Sequence, residues 1–170
     1  MLLFIKKLVT LSVFLFLIYS CSNRETKLNL ISLTFRHTLT NEKLDVSIIK
    51  HNEAEIEVHY NYDPANRKNA YDIQTKSYKI SLEHFNLIAD KILNINRNNI
   101  ELETKTQGLD GSITIISFKE EGNPTILNHY KIWSPHSSFK KRNLIDYIEA
   151  FNSITILAKE SQFKLIEIED

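Results

Sequence analysis

The sequence predicts an α+β domain: a single domain with a mainly antiparallel sheet of about six to seven strands and two amphipathic helices packed on it. Three observations lead there. Several short runs alternate apolar and polar residues, the period of a half-buried strand. Two longer stretches switch to the spacing of an amphipathic helix. The order is strands, helix, strands, helix, with connections between strands too short for parallel crossovers.

The first strand is read in LNLISLTFR (28–36), where Ile31, Leu33 and Phe35 share one face and Ser32, Thr34 and Arg36 the other. Leu44, Val46 and Ile48 repeat the pattern beyond a turn at Asn41-Glu42. A third run, Ala54 to Tyr62, turns Ile56, Val58, Tyr60 and Tyr62 inward and Glu55, Glu57, His59 and Asn61 outward. DPANRKN (63–69) is a loop, since Pro64 cannot serve a central ladder. Tyr71 to Ile80 supplies a fourth strand.

At Ser81 the period changes. Leu82, Phe85, Ile88, Ala89, Ile92 and Ile95 fall at helical spacing behind an N-capping serine. Ile80 and Phe85 occupy the two positions of a hydrophobic staple. Four asparagines, Asn94, Asn96, Asn98 and Asn99, are read as the stop, followed by a short strand from Ile100 to Thr106. The turn Gly108-Leu109-Asp110-Gly111 suits a tight hairpin, because an Asp-Gly pair accepts positive φ. Ser112 to Phe118 and Thr125 to Trp133 form a second hairpin across KEEGNP. Ile113, Ile115 and Ile116 cover both faces there, so this pair is expected in the sheet centre or covered on both sides. A second helix is read from about Lys140 to Lys159, with Leu144, Ile145, Tyr147, Ile148, Phe151, Ile154, Leu157 and Ala158 in its buried stripe. Its first turn, Lys140-Lys141-Arg142, has the unfavourable sign for a helix N-terminus. Phe163 to Ile168 is either a last strand or the end of that helix.

Composition narrows the function classes. Of 170 residues 42% are apolar, with three Gly and three Pro, which excludes collagen-like, Pro-rich or linker character. The formal charge is zero, so no basic excess points to a nucleic-acid partner.

The amino-terminal 20 residues read as an export signal: Lys6 and Lys7, then the twelve-residue apolar run Leu8 to Tyr19. As a helix that run spans about 18 Å, short of a hydrocarbon core of about 30 Å. Ile18-Tyr19-Ser20-Cys21 follows, a small residue before a cysteine, and it resembles the lipobox of bacterial lipoproteins, with Tyr19 bulkier than usual at its position. The resemblance implies cleavage before Cys21, a thioether-linked lipid on its sulfur and acylation of the new amino terminus. Several acyl chains would hold the chain at a bilayer where one is marginal. Cys21 is the only cysteine, so an internal disulfide is excluded. The organisation is then a signal (1–20), a short tether (21–27) and one domain (28–170). Ser22 after the anchor resembles the outer-membrane-sorted type of diderm bacteria, facing the periplasm or displayed at the surface.

Four constellations bear on chemistry. Glu55, Glu57 and His59 share a strand face and could ligate a metal. No H-x-x-x-H or H-E-x-x-H spacing accompanies them or the other histidines, His37, His51, His84, His129 and His136, so a solvated face is the reading and no metal or other cofactor is assigned. No nucleophile motif and no Gly-rich phosphate loop occur, so no catalytic residue is assigned. The 21 acidic residues neither support nor exclude a glycosidase pair. Tyr60, Tyr62, Tyr71 and Tyr78 near the 63–69 loop are a sugar- or peptide-binding surface or, more simply, core.

The last constellation supplies the nominated site. Trp133 stands at a strand end before Ser134-Pro135, and with Asp110, His136 and Arg142 it would form a recognition pocket, with His129 also near; Trp and Arg are favoured binding anchors. The plainer alternative makes Trp133 core, Asp110 a turn former and Arg142 solvated. The stretch from Gly108-Leu109-Asp110-Gly111 to Trp133-Ser134-Pro135 and Arg142 resembles small exported bacterial proteins with a GLDG and WSP pattern, a resemblance that brings no activity or functional residue with it.

These readings converge on a non-enzymatic, lipid-anchored envelope protein. It touches the bilayer through acylated Cys21 and acts by contact with a protein partner: a toxin or hydrolase that it neutralises as an immunity or inhibitor lipoprotein, or an envelope complex that it joins. The alternative is a small envelope enzyme, or a ligand- or glycan-binding module, using Asp110, Trp133, His136 and Arg142.

Overall fold

Alternating sequence and short turns produce one six-stranded antiparallel sheet, ordered β4-β3-β2-β1-β5-β6. The computed structural model describes residues 28–64, 73–103, 111–123, 125–134 and 143–157. Its strands are β1 (Leu28–His37), β2 (Lys43–Asn52), β3 (Glu55–Asp63), β4 (Gln74–Lys79), β5 (Ser112–Glu120) and β6 (Asn128–Ser134); its helices are α1 (Leu82–Leu93), α2 (Arg97–Glu103) and α3 (Ile145–Leu157). The chain is a single α+β domain, as the pattern predicts. Cys21, the signal and the 163–168 tail lie outside the described residues.

The ladders put like with like. Ile31 stands between Ile48 and Phe118, Leu33 between Val46 and Ile116, and Phe35 between Leu44 and Thr114. Val58 and Tyr60 extend the first two rows on β3, and Tyr130 and Ile132 continue the last two on β6. Because side chains alternate, this register turns one face of every strand inward together. The inward faces of β1, β2 and β3 match the expected ones residue for residue. At the β1–β2 turn Asn41 takes φ 57°, a region open to asparagine at low cost.

From β4, at one edge, the chain passes through α1 and α2 before β5, which lies between β1 and the other edge strand, β6. Ser81 caps α1, its Oγ accepting from His84 N–H at 3.3 Å. Phe85, Ile88, Ala89 and Ile92 are buried, with Ile80 packed against the same core. Lys50 lays its stem along this end: its ammonium is 5.9 Å from the Phe85 ring centroid and 2.8 Å from Glu121 Oε1. α3 packs against α1. It starts beside α2, where Asn99 Nδ2 donates to the Asn143 carbonyl at 2.9 Å, and ends over β4, where the Tyr78 hydroxyl donates to the Leu157 carbonyl.

Three expectations are corrected. The asparagine cluster ends α1 but also starts another helix: Asn96 Oδ1 accepts from Asn98 N–H at 3.1 Å and its carbonyl from Ile100 N–H at 3.4 Å. Asparagine caps helices as readily as it breaks them. The strand expected from Ile100 is therefore helical over Arg97–Glu103, a third helix beyond the two expected, and β5 pairs with β1 and β6 instead. The third correction concerns the last helix. It begins at Ile145, after Asn143 at φ 54°, its first turn carries Asp146, the favourable sign, rather than a basic triplet, and Ile145 is exposed instead of joining the buried stripe.

Candidate functional site

Helices cover one face of the sheet; the other carries the outward half of every strand. On β6, Tyr130 and Ile132 turn to the core, which sends His129, Lys131 and Trp133 to the open face. Trp133 is thus not core. It lies half-buried opposite Ile113 of β5, and Ile113 in turn stands opposite Arg36 of β1. One row along, Ile115 joins Lys131 to Thr34. The result is a small apolar patch of Trp133, Ile113 and Ile115 with Arg36 and Lys131 beside it. The indole Nε1 is buried and has no hydrogen-bond partner among the described residues, although a buried indole N–H normally finds one.

Of the nominated quartet only Trp133 is placed. Asp110, His136 and Arg142 lie outside the described residues.

The rest of the open face is mostly polar, with Leu30 and Ile49 as a second apolar pair. One row crosses all six strands as Ser77, His59, Ser47, Ser32, Ser117 and His129. In the next row Thr34 Oγ1 donates to Asp45 Oδ1 at 3.0 Å. Near the β3–β4 edge His59 Nδ1 is 2.9 Å from Ser77 Oγ, and Glu57 Oε2 lies 3.5 Å from both His59 Nε2 and His51 Nε2. Serine, histidine and glutamate stand in the order of a hydrolytic relay. The β3 amides are taken up by ladders on both sides, whereas Ser77 stands on the edge strand β4. The trio is solvent-exposed, which weakens any electrostatic assistance. These groups make a hydrated charge cluster.

The expected sharing of one face by Glu55, Glu57 and His59 is observed, but Glu55 turns to Lys79 at 3.1 Å. Among the described residues no group of three His, Cys, Asp or Glu side chains is arranged to hold a metal ion. The tyrosines resolve toward the core: Tyr60 and Tyr62 are buried, Tyr62 donates to Glu42 Oε1 at 2.9 Å, and Tyr71 lies outside the described residues. Burial raises the pKa of the Tyr78 hydroxyl. Burial raises that of Tyr147 well above the usual range, with the Ile116 backbone opposing the rise.

A second feature had no signal in the sequence. Where α2 packs beside β6, a groove of about 340 Å³ opens, lined by Arg97, Ile100 and Glu101 from the helix and by Leu127, Asn128, His129 and Lys131 from the strand and the loop before it. It depends on 97–103 being helical, where the sequence pattern points to a strand from Ile100. Its Lys131 and His129 lie on the same strand face as Trp133.

No family model, no curated protein and no solved structure matches the chain.

Proposed function

We propose that the chain is a lipid-anchored protein of the bacterial cell envelope that works by contact with another protein, in the manner of an immunity or inhibitor lipoprotein. The carrying observation is the Trp133 patch. An indole whose buried N–H has no partner among the described residues sits beside two isoleucines and two cations on a sheet face that no described helix covers. Protein interfaces concentrate such anchors: aromatic and arginine side chains around an apolar centre, with polar groups at the rim. The anchor itself rests on the sequence, where a short apolar segment ends in Ser20-Cys21. Among the described residues no helix is long and apolar enough to cross a membrane.

Two measurements test the two halves. Cys21→Ala should leave the leader uncleaved and remove the acyl mass; a mature, acylated product from that variant would refute the lipidation. For the contact, a photo-crosslinking residue at position 133 in the envelope-bound chain should yield one reproducible protein adduct. The same probe at Leu87, exposed on α1, should not. Equal capture from both positions, or none at 133, refutes the assigned surface.

A further inference from the structure

We propose that the groove between α2 and β6 is a binding site for a small monocarboxylate with a short aliphatic tail, a function beyond the protein contact above that adjoins it through the shared Lys131. Arg97 lines it from the helix and Lys131 from the strand, and among the described residues neither side chain makes a hydrogen bond or ion pair. Unpaired cations flanking one concavity attract an anion, and a guanidinium offers the planar donor fork that a carboxylate accepts in bidentate fashion. The wall opposes a high charge: Glu101 also lines the groove, and its carboxylate near the two cations disfavours a second negative charge on the ligand. That balance suits a singly charged head rather than a phosphate dianion.

The remaining lining sets the tail. Ile100 is 4% exposed and floors the groove, whereas Leu127 keeps 49% of its surface in water with no ligand bound. An aliphatic tail laid against Leu127 would remove that area from water, the usual source of affinity in such clefts. The volume of about 340 Å³ lies at the lower end of small-molecule sites, which suits a ligand of few heavy atoms. Asn128, at the same rim, adds an amide that hydrogen-bonds a second carboxylate oxygen.

The test uses the full chain in phosphatidylcholine nanodiscs, with methyl-labelled isoleucine and leucine, titrated with butyrate, butylammonium, acetate and inorganic phosphate. Butyrate should shift the Ile100 and Leu127 methyl signals saturably in the millimolar range. Butylammonium, with the same tail and opposite charge, should leave them unmoved. Acetate should bind several-fold more weakly than butyrate, and phosphate more weakly again. Lys131→Gln and Arg97→Gln should each weaken butyrate about tenfold, as loss of a charge-assisted contact does, with the remaining methyl spectrum unchanged. Equal shifts from butyrate and butylammonium, linear shifts without saturation, acetate or phosphate binding as tightly as butyrate, or full affinity in both variants would each overturn the proposal.

Discussion

The two faces of the sheet are built from the same strands yet follow different rules. Toward the helices, β1 to β3 present Ile31, Leu33, Phe35, Leu44, Val46, Ile48, Ile56 and Val58, all buried. Toward solvent, the neighbouring positions are Ser32, Thr34, Ser47, Asp45, Glu57 and His59, partly or fully exposed. Dense apolar packing makes the first face set register and stability. The second is free to vary chemically: it is apolar at Leu30 and Ile49 of β1 and β2, and again at β5 and β6, where Ile113 and Ile115 are joined by the indole of Trp133. That departure from the polar rule on a face with no described cover is what marks the patch as a place of contact.

The largest expected effect comes from breaking the inner face. Phe85→Ala should lower stability by about 3–5 kcal/mol, since the ring is fully buried and its removal leaves a cavity. Ile115→Ala, half-exposed on the outer face, should lower it by about 1 kcal/mol, in line with the smaller area it keeps from water. Urea denaturation of both variants checks the pair. Equal losses would mean that the outer face is packed like the inner one, and the patch would lose its meaning as a surface.

A pH scan sharpens the comparison next. Tyr147 is buried among inner-face residues, and burial raises its hydroxyl pKa well above the ordinary 10. Above that pH an unfolded chain releases the proton while the folded chain keeps it. Folding therefore loses stability as pH climbs past about 10, by about 1.4 kcal/mol per pH unit until the raised value is reached. Tyr147→Phe should flatten that slope while leaving neutral-pH stability nearly unchanged, because the hydroxyl lacks a well-formed hydrogen bond. Tyr78, also raised by burial, should add a smaller slope of the same sign. An unaltered slope in Tyr147→Phe would place that side chain in water.

Helix capping gives the third test, and it shows where sequence was and was not informative. The faces of β1, β2 and β3 and the start of α1 are legible because alternation, the Ser81 cap and the Ile80–Phe85 pair are local signals that agree. α2 is not legible. RNNIELE has neither a long apolar stripe nor an acidic first turn, and it forms where Asn96 caps it and β6 receives it, a tertiary cause. The groove inherits that obscurity. Trp133 stands out in the sequence as the single tryptophan, but its face depends on the phase of β6, which Tyr130 and Ile132 settle only once pairing with β5 is known. Asn96→Ala should cost about 1 kcal/mol and preferentially loosen 97–103, visible as faster amide exchange there than in α1. Exchange unchanged in that stretch would mean that packing alone holds α2.

The smallest expected effects carry opposite signs on the two faces. Thr114 of β5 points inward, is fully buried, and its Oγ1 has no partner among the described residues. Thr34 of β1 points outward and donates to Asp45 at 3.0 Å. Valine has nearly the shape of threonine without the hydroxyl, so the swap isolates the polar atom. Thr114→Val removes an unsatisfied group from a dry site and should stabilise by about 1 kcal/mol. Thr34→Val loses a hydrogen bond that water partly replaces and should destabilise by about 0.5 kcal/mol. The sign, read from paired denaturation curves, is the decisive quantity: a destabilising Thr114→Val would show that its hydroxyl is bonded after all, and the inner face would then have to accommodate a polar partner at the start of β5.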